Sequence, residues 1–158
     1  KKPWPEWSAG VGLGALPVLG LYFVQTGAYT SHAVIAAIPS ALLVHNLLLM
    51  NEFPDVEADL TAQRRTVPIS AGRRKAAVLF TVVALAVYAW ILGFVIAGFM
   101  PAWTLLALLC LPLTVKSING AINNDNPAKL LPGMAANVAA VHLVQLLIGI
   151  GYIIDRVS

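Results

Sequence analysis

The chain reads as an all-α transmembrane helical bundle of five spans, on three grounds: its apolar composition, the lengths of its apolar runs, and the side on which its cations fall. Of 158 residues, 59% are hydrophobic and only 11% charged, against roughly 25% charged in a soluble domain. Mean hydropathy is +0.80. Crossing a hydrocarbon core about 30 Å thick takes roughly 20 apolar residues at about 1.5 Å each. Several stretches approach or exceed that length, and none shows strand alternation.

The spans are expected at about 9–28, 33–50, 76–99, 102–115 and 134–154, so that residues 1–158 form a single membrane domain. The polar turn "YTSH" joins the first two, and "MPAW" turns the chain at Pro101. The fourth run is short and holds Pro112, which points to a broken or partly buried helix. The fifth follows a loop, "KSINGAINNDNPAKLLP".

Orientation follows from the cations, which collect on the cytoplasmic side. With five spans, one face receives Lys1, Lys2, Arg64, Arg65, Arg73, Arg74, Lys75, Lys116 and Lys129, and the other only Arg156. That asymmetry predicts an integral protein of the cytoplasmic (inner) membrane whose 51–75 loop faces the cytoplasm. It also accounts for the pI near 9.3: the bases meet lipid headgroups and a phosphate ligand, and no basic stripe with interleaved aromatics suggests nucleic acid. Cys110 is the single cysteine and cannot form an internal disulfide. His32, His45 and His142 lack metal-ligand spacing and read as packed or interfacial residues. The first methionine is Met50, and "KKPWPEW" is no signal peptide, so the sequence reads as a piece of something longer.

The chemistry concentrates in "NEFPDVEADLTAQRRTVPISAGRRK", residues 51–75, where four carboxylates precede five bases. If the second helix continues past the apolar run, Asn51, Asp55 and Asp59 recur at i, i+4 and i+8 and project from one face, while Glu52 and Glu57 point elsewhere. Bare carboxylates there repel one another, and at bilayer depth each costs about 2.5–3.5 kcal/mol. A divalent cation reverses the sign. Mg²⁺ takes hard oxygens, typically one or two carboxylates plus the phosphates of a substrate. Arginines downstream can neutralise the remaining phosphate charge with forked hydrogen bonds. A site of this kind beside a bundle in lipid suits a diphosphate head on a hydrophobic tail, the shape of a polyprenyl diphosphate. On spacing alone, the same charges could equally solvate a loop and set topology, and Arg73, Arg74 and Lys75 suit that role best.

The pattern "NEFPDVEAD…RRTVP…G", from Asn51 through Asp55, Glu57 and Asp59 to Arg65, Thr66, Pro68 and Gly72, resembles the second aspartate-rich motif of the UbiA superfamily of intramembrane prenyltransferases. "LYFVQTGAYTSHA", with Tyr22, Gln25, Thr26 and Gly27, is similar to the branch that prenylates 1,4-dihydroxy-2-naphthoate in menaquinone synthesis. One departure is Gln63, where the family usually shows Gly before the basic pair, which bears on the loop's conformation. The resemblance implies a nine-helix bundle with an aspartate-rich motif in each half, this chain supplying helices five to nine and the second motif. The missing N-terminal half would bring the remaining metal ligands, and the isolated fragment is expected to be inactive.

The activity implied is electrophilic aromatic prenylation, with two Mg²⁺ ions holding the donor's diphosphate while an electron-rich ring captures the allylic cation. Asp55 and Asp59 are assigned to metal and catalysis, Asn51 to metal or diphosphate, and Arg64 and Arg65 to diphosphate. Tyr22 and Gln25 are candidates for the acceptor or prenyl pocket, with interfacial anchoring or interhelical hydrogen bonding as the alternative. Asn123, Asn124, Asp125 and Lys129 of "INNDNPAK" could cover the diphosphate, or form only a polar turn. The partners implied are a polyprenyl diphosphate donor, an aromatic acceptor and the lipid bilayer. The rival readings are a membrane transporter, which calls for carboxylates in mid-span, a CDP-alcohol phosphotransferase, whose Gly-rich aspartate motif is not seen, and a non-catalytic membrane subunit with a charged cytoplasmic loop.

Overall fold

A computed structural model describes residues 5–158; Lys1 and Lys2, counted above among the cations, lie outside the described residues. The elements are α1 (Pro5–Ala9), a π-helical stretch (Gly10–Ala15), α2 (Leu16–Thr26), α3 (Ser31–Thr61), α4 (Val67–Ala71), α5 (Arg73–Ile96), a 3-10 stretch (Ala102–Cys110), α6 (Leu111–Ile122) and α7 (Pro127–Val157). Among the described residues all regular structure is helical. Five rods among the described residues are long and apolar enough to cross a membrane: Glu6–Thr26, Ser31–Thr61, Arg73–Ile96, Ala102–Ile122 and Pro127–Val157. The chain is an integral membrane protein.

The rods differ from the apolar runs at their ends. The expected loop over 116–132 is mostly helix, with only the residues between Ile122 and Pro127 left as a turn. Asn126 caps α7 by accepting the Ala128 amide at 3.0 Å, and Pro127 at the first helical position has no amide to satisfy. A polar first turn of this kind is invisible to a hydropathy count. The fourth rod is broken, as Pro112 suggested: 3-10 geometry runs to Cys110, and α6 then begins with the proline in its first turn.

α3 is the hub, packing on the first rod, α5 and α7. Thr30 caps it, accepting the Ala33 amide at 3.2 Å. Pro39 inside α3 cannot donate to the carbonyl of Ile35. Trp90 of α5 fills the gap, its indole N–H meeting that carbonyl at 3.0 Å. A backbone group with no water at hand is thereby satisfied by a neighbouring helix. Asn46 extends the same logic: its amide donates to the Phe80 carbonyl at 2.9 Å, and its own carbonyl accepts from Asn137 at 3.4 Å, tying α3 to α5 and α7. Ser40 donates to Gln145 at 2.9 Å, and Tyr88 of α5 meets Thr114 of α6.

Small residues set how closely the rods approach. A Cβ on Gly14 would lie 2.7 Å from the Ser40 carbonyl oxygen on α3, and one on Gly10 would lie 2.6 Å from that of Ala41. The Gly-x-x-x-Gly spacing thus presses the first rod's backbone onto α3. Two apolar clusters fill the interior. One joins Leu43, Val87, Ile91, Val144 and Ile148; the other joins Leu49, Met50, Phe53, Phe80 and Leu130. The second underlies the charged end of α3, and so fixes the frame on which the site is built.

Candidate functional site

α3 does continue past its apolar run, carrying Asn51, Asp55 and Asp59 on successive turns. About 6 Å of rise separates each from the next. All three line one cavity of about 440 Å³, together with Arg64, Arg65 and Thr66. The structure therefore brings together every residue assigned above to metal or diphosphate. Glu57 is exposed and absent from the lining, as expected.

Glu52 departs from expectation. It does not point away: it is buried and lines the same cavity. His45, Glu52 and Asp59 follow one another at seven-residue intervals, a spacing of nearly two turns that keeps all three on one buried strip of α3. Glu6 of α1, fully buried, stands beside Glu52 and close to His45, whose ring packs on Trp7 with centroids 4.2 Å apart. The Glu6 and Glu52 carboxyl groups meet each other, while His45 Nε2 has no hydrogen-bond partner. Sequence reasoning missed this group. The signal available was an acid at Glu6 directly before an apolar rod, and the seven-residue recurrence ending at Asp59.

The turn after α3 places the arginines. The Arg64 amide donates to the Asp59 carbonyl at 2.8 Å and the Gln63 amide to that of Leu60 at 3.1 Å. This is the Schellman pattern that closes a helix through one left-handed residue. Gln63 is that residue, at φ +54°. The turn folds Arg64 back so that Nη1 reaches Asp59 Oδ1 at 3.3 Å. The Arg64 side chain is 73% exposed while that of Asp59 is 9% exposed, so the pair contributes little to stability and leaves Arg64 free to meet another anion. A side chain in the left-handed region costs about 1–2 kcal/mol, partly offset by the greater freedom of an unfolded glycine. Gln63→Gly is therefore expected to stabilise the protein by about 0.5–1 kcal/mol, raising the melting temperature in detergent by roughly 1–3 °C. A fall would mean that Gln63 makes a compensating contact.

The donors in the cavity are carboxylate, amide and hydroxyl oxygens, the set that suits Mg²⁺ and excludes a soft-metal site. Among the described residues no three Asp, Glu, His or Cys side chains converge closely enough to hold an ion on their own.

The other candidates lie elsewhere. Tyr22 and the exposed Gln25 stand at the far end of α2; the Tyr22 hydroxyl accepts from Thr30 at 3.2 Å, about 30 Å along α3 from Asn51. Lys129 donates to Asn123 at 3.2 Å, and Asn124 is buried against Arg73, whose Nη1 reaches its Oδ1 at 3.1 Å and its carbonyl at 3.3 Å. Lys129 and Asn123 close a polar turn that Asn124 ties to α5, and neither Asn124 nor Lys129 lines the Asp55 cavity.

Comparison with known proteins agrees with this geometry. The model of the UbiA prenyltransferase family matches residues 1–140. The chain is similar to the 1,4-dihydroxy-2-naphthoate octaprenyltransferase of Bacillus subtilis (strain 168), with 28% identity over 153 residues, 97% of this chain and 49% of that protein. It is similar to the protein of the same name from Haemophilus influenzae (strain ATCC 51907 / DSM 11121 / KW20 / Rd), with 28% identity over 144 residues, 91% of this chain and 47% of that protein. It thus spans about half the length of these curated relatives. No solved structure matches it. A helical membrane bundle with its acids and arginines gathered at one end of α3, and a family match over most of its length, lead to one conclusion: the chain belongs to the UbiA prenyltransferase family.

Proposed function

We propose that the chain forms the part of an intramembrane aromatic prenyltransferase that grips the donor's diphosphate, and that the acceptor is a dihydroxynaphthoate-like quinone precursor. The observation that carries this reading is the single cavity in which Asn51, Asp55 and Asp59 face Arg64 and Arg65. Asp55 and Asp59 would hold Mg²⁺, with Asn51 as a neutral oxygen donor to the metal or a hydrogen-bonding partner to the diphosphate. When bound, the ion supplies positive charge to the diphosphate leaving group.

The chain's own residues do the rest. Arg64, held by the turn at Gln63, lies within reach of both Asp59 and the cavity, and can move its guanidinium from the carboxylate to the diphosphate oxygens. Arg65 adds a second fork on the same anion. Phe53, Leu49 and Met50 hold the strip rigidly from behind, so that the carboxylates are positioned before substrate arrives. The prenyl tail stays in the bilayer. The first aspartate-rich motif would come from the rest of the fold, outside residues 1–158, and the gathering of Lys and Arg at this end of the bundle supports a site on the cytoplasmic face of the inner membrane.

The names of the two relatives favour dihydroxynaphthoate as acceptor, as does "LYFVQTGAYTSHA". The test is transfer of a labelled polyprenyl group by the full-length protein in vesicles. Product with 1,4-dihydroxy-2-naphthoate that disappears on chelation of divalent ions and returns with Mg²⁺ is expected. Transfer unaffected by chelation would remove the metal from the account, and transfer to 4-hydroxybenzoate alone would remove the acceptor.

A further inference from the structure

The second polar feature at this end of the bundle is separate from the Asp55 cavity and shares no residue with it. It is a groove of about 710 Å³ between α5 and the end of α6, headed by Arg73 and Arg74. Below them the groove turns apolar along two parallel stripes. Arg74, Val78 and Val82 recur at i, i+4 and i+8, and Arg73, Ala77 and Thr81 do the same one residue earlier. Each stripe therefore runs from a guanidinium down about 12 Å of helix. Ile122 of α6 forms the facing wall. Val78, Val82 and Ile122 are 58%, 59% and 58% exposed, so the trough is open along its length.

The charges at its head are specific. Arg73 is held by Asn124 through one nitrogen, at 3.1 Å and 3.3 Å, which leaves its other donors free. Arg74 is exposed and forms no contact ion pair with a carboxylate among the described residues. Asp125 also lines the groove. Two guanidiniums against one carboxylate leave a net single positive charge, and the carboxylate can accept from hydroxyls.

We infer that this groove binds one anionic glycerophospholipid, its phosphodiester on Arg73 and Arg74, its glycerol headgroup hydroxyls toward Asp125 and Asn124, and an acyl chain along Val78 and Val82. A monoanionic phosphodiester cancels the net charge, a headgroup hydroxyl suits Asp125, and the apolar trough lies directly below the arginines as a lipid tail lies below its phosphate. A zwitterionic ethanolamine or choline lipid leaves one arginine unmatched. This site does not depend on the assignment of the Asp55 cavity.

Native mass spectrometry of the full-length protein purified in detergent, titrated with phosphatidylglycerol, phosphatidylethanolamine or phosphatidylcholine, tests it. Phosphatidylglycerol adducts are expected to outnumber the other two at equal concentration. Arg74→Gln, at an exposed position that the fold does not use, is expected to weaken them about fivefold, and Arg73→Gln/Arg74→Gln further, while Lys116→Gln leaves them unchanged. Equal adducts with all three lipids, or adducts indifferent to Arg74→Gln, would overturn the inference. A second arm asks what covers the groove in a membrane. Val82→Cys in a Cys110→Ala background, labelled with bimane, is expected to be quenched by brominated acyl chains, more strongly on phosphatidylglycerol than on phosphatidylcholine. Absence of quenching would mean that protein, not lipid, fills the trough.

Discussion

Asp55→Ala and Asp59→Ala in the full-length protein are each expected to lower prenyl transfer at saturating donor by at least about 100-fold. Groups that merely orient a metal ligand cost about 10–100-fold when removed, and charge-stabilising donors about 100–1,000-fold, so direct ligands belong at or above that range. The two variants should differ in stability. Asp55 is exposed and makes no side-chain hydrogen bond or ion pair among the described residues, so its removal should leave the melting temperature nearly unchanged. Asp59 is buried and paired with Arg64, and its loss frees a guanidinium that is already largely in solvent, costing at most about 1 kcal/mol. Activity loss without unfolding is the signature. Glu57→Ala, on the exposed side away from the cavity, should retain turnover; near-normal turnover in both aspartate variants would remove them from the mechanism.

Gly120→Val is expected to destabilise the bundle by about 3 kcal/mol or more, the upper range for forcing extra atoms into packed structure. A Cβ at Gly120 would lie 2.7 Å from the Gly133 Cα and 3.2 Å from both the Lys129 carbonyl and Met50 Cε. Two of these three are backbone atoms of α7, which cannot swing aside as a flexible side chain does. α6 and α7 must separate, uncovering Ala121 and Leu130, and with them the apolar cluster that supports Met50 and Phe53 beneath the aspartates. Thermal melting in detergent reads the loss. Gly93→Ala is the contrast, since nothing lies within 4 Å of its Cβ position. There the helix propensity of alanine should stabilise by up to about 1 kcal/mol. Equal effects at both positions would contradict the close approach of α6 and α7.

The class of fold and the number of spans are legible in the sequence because the bilayer imposes one length on every crossing helix. Span ends are less so. The cap at Asn126 and the helical continuation of α3 to Thr61 depend on local hydrogen bonds between polar residues, which a hydropathy count reads as loop. Within the site, Asn51, Asp55 and Asp59 were visible through their four-residue spacing. Gln63 was visible only as a departure from a resembled pattern, and its left-handed backbone gives that departure a physical meaning. Glu52 was misplaced because a four-residue register leaves it beside the stripe, while its buried neighbour is Glu6, from outside the motif. No local pattern encodes a contact between residues 46 positions apart.

The central claim, that these acids hold a divalent ion which in turn holds a diphosphate, is open to a measurement independent of turnover. Mn²⁺ in place of Mg²⁺, added to the full-length protein with an unreactive allylic thiodiphosphate, can be read by electron–nuclear double resonance. The wild type should show phosphorus hyperfine coupling to bound Mn²⁺, and Asp55→Ala/Asp59→Ala should lose it. Undiminished coupling in the double variant would contradict the account, because the metal and its phosphate would then be held by other residues.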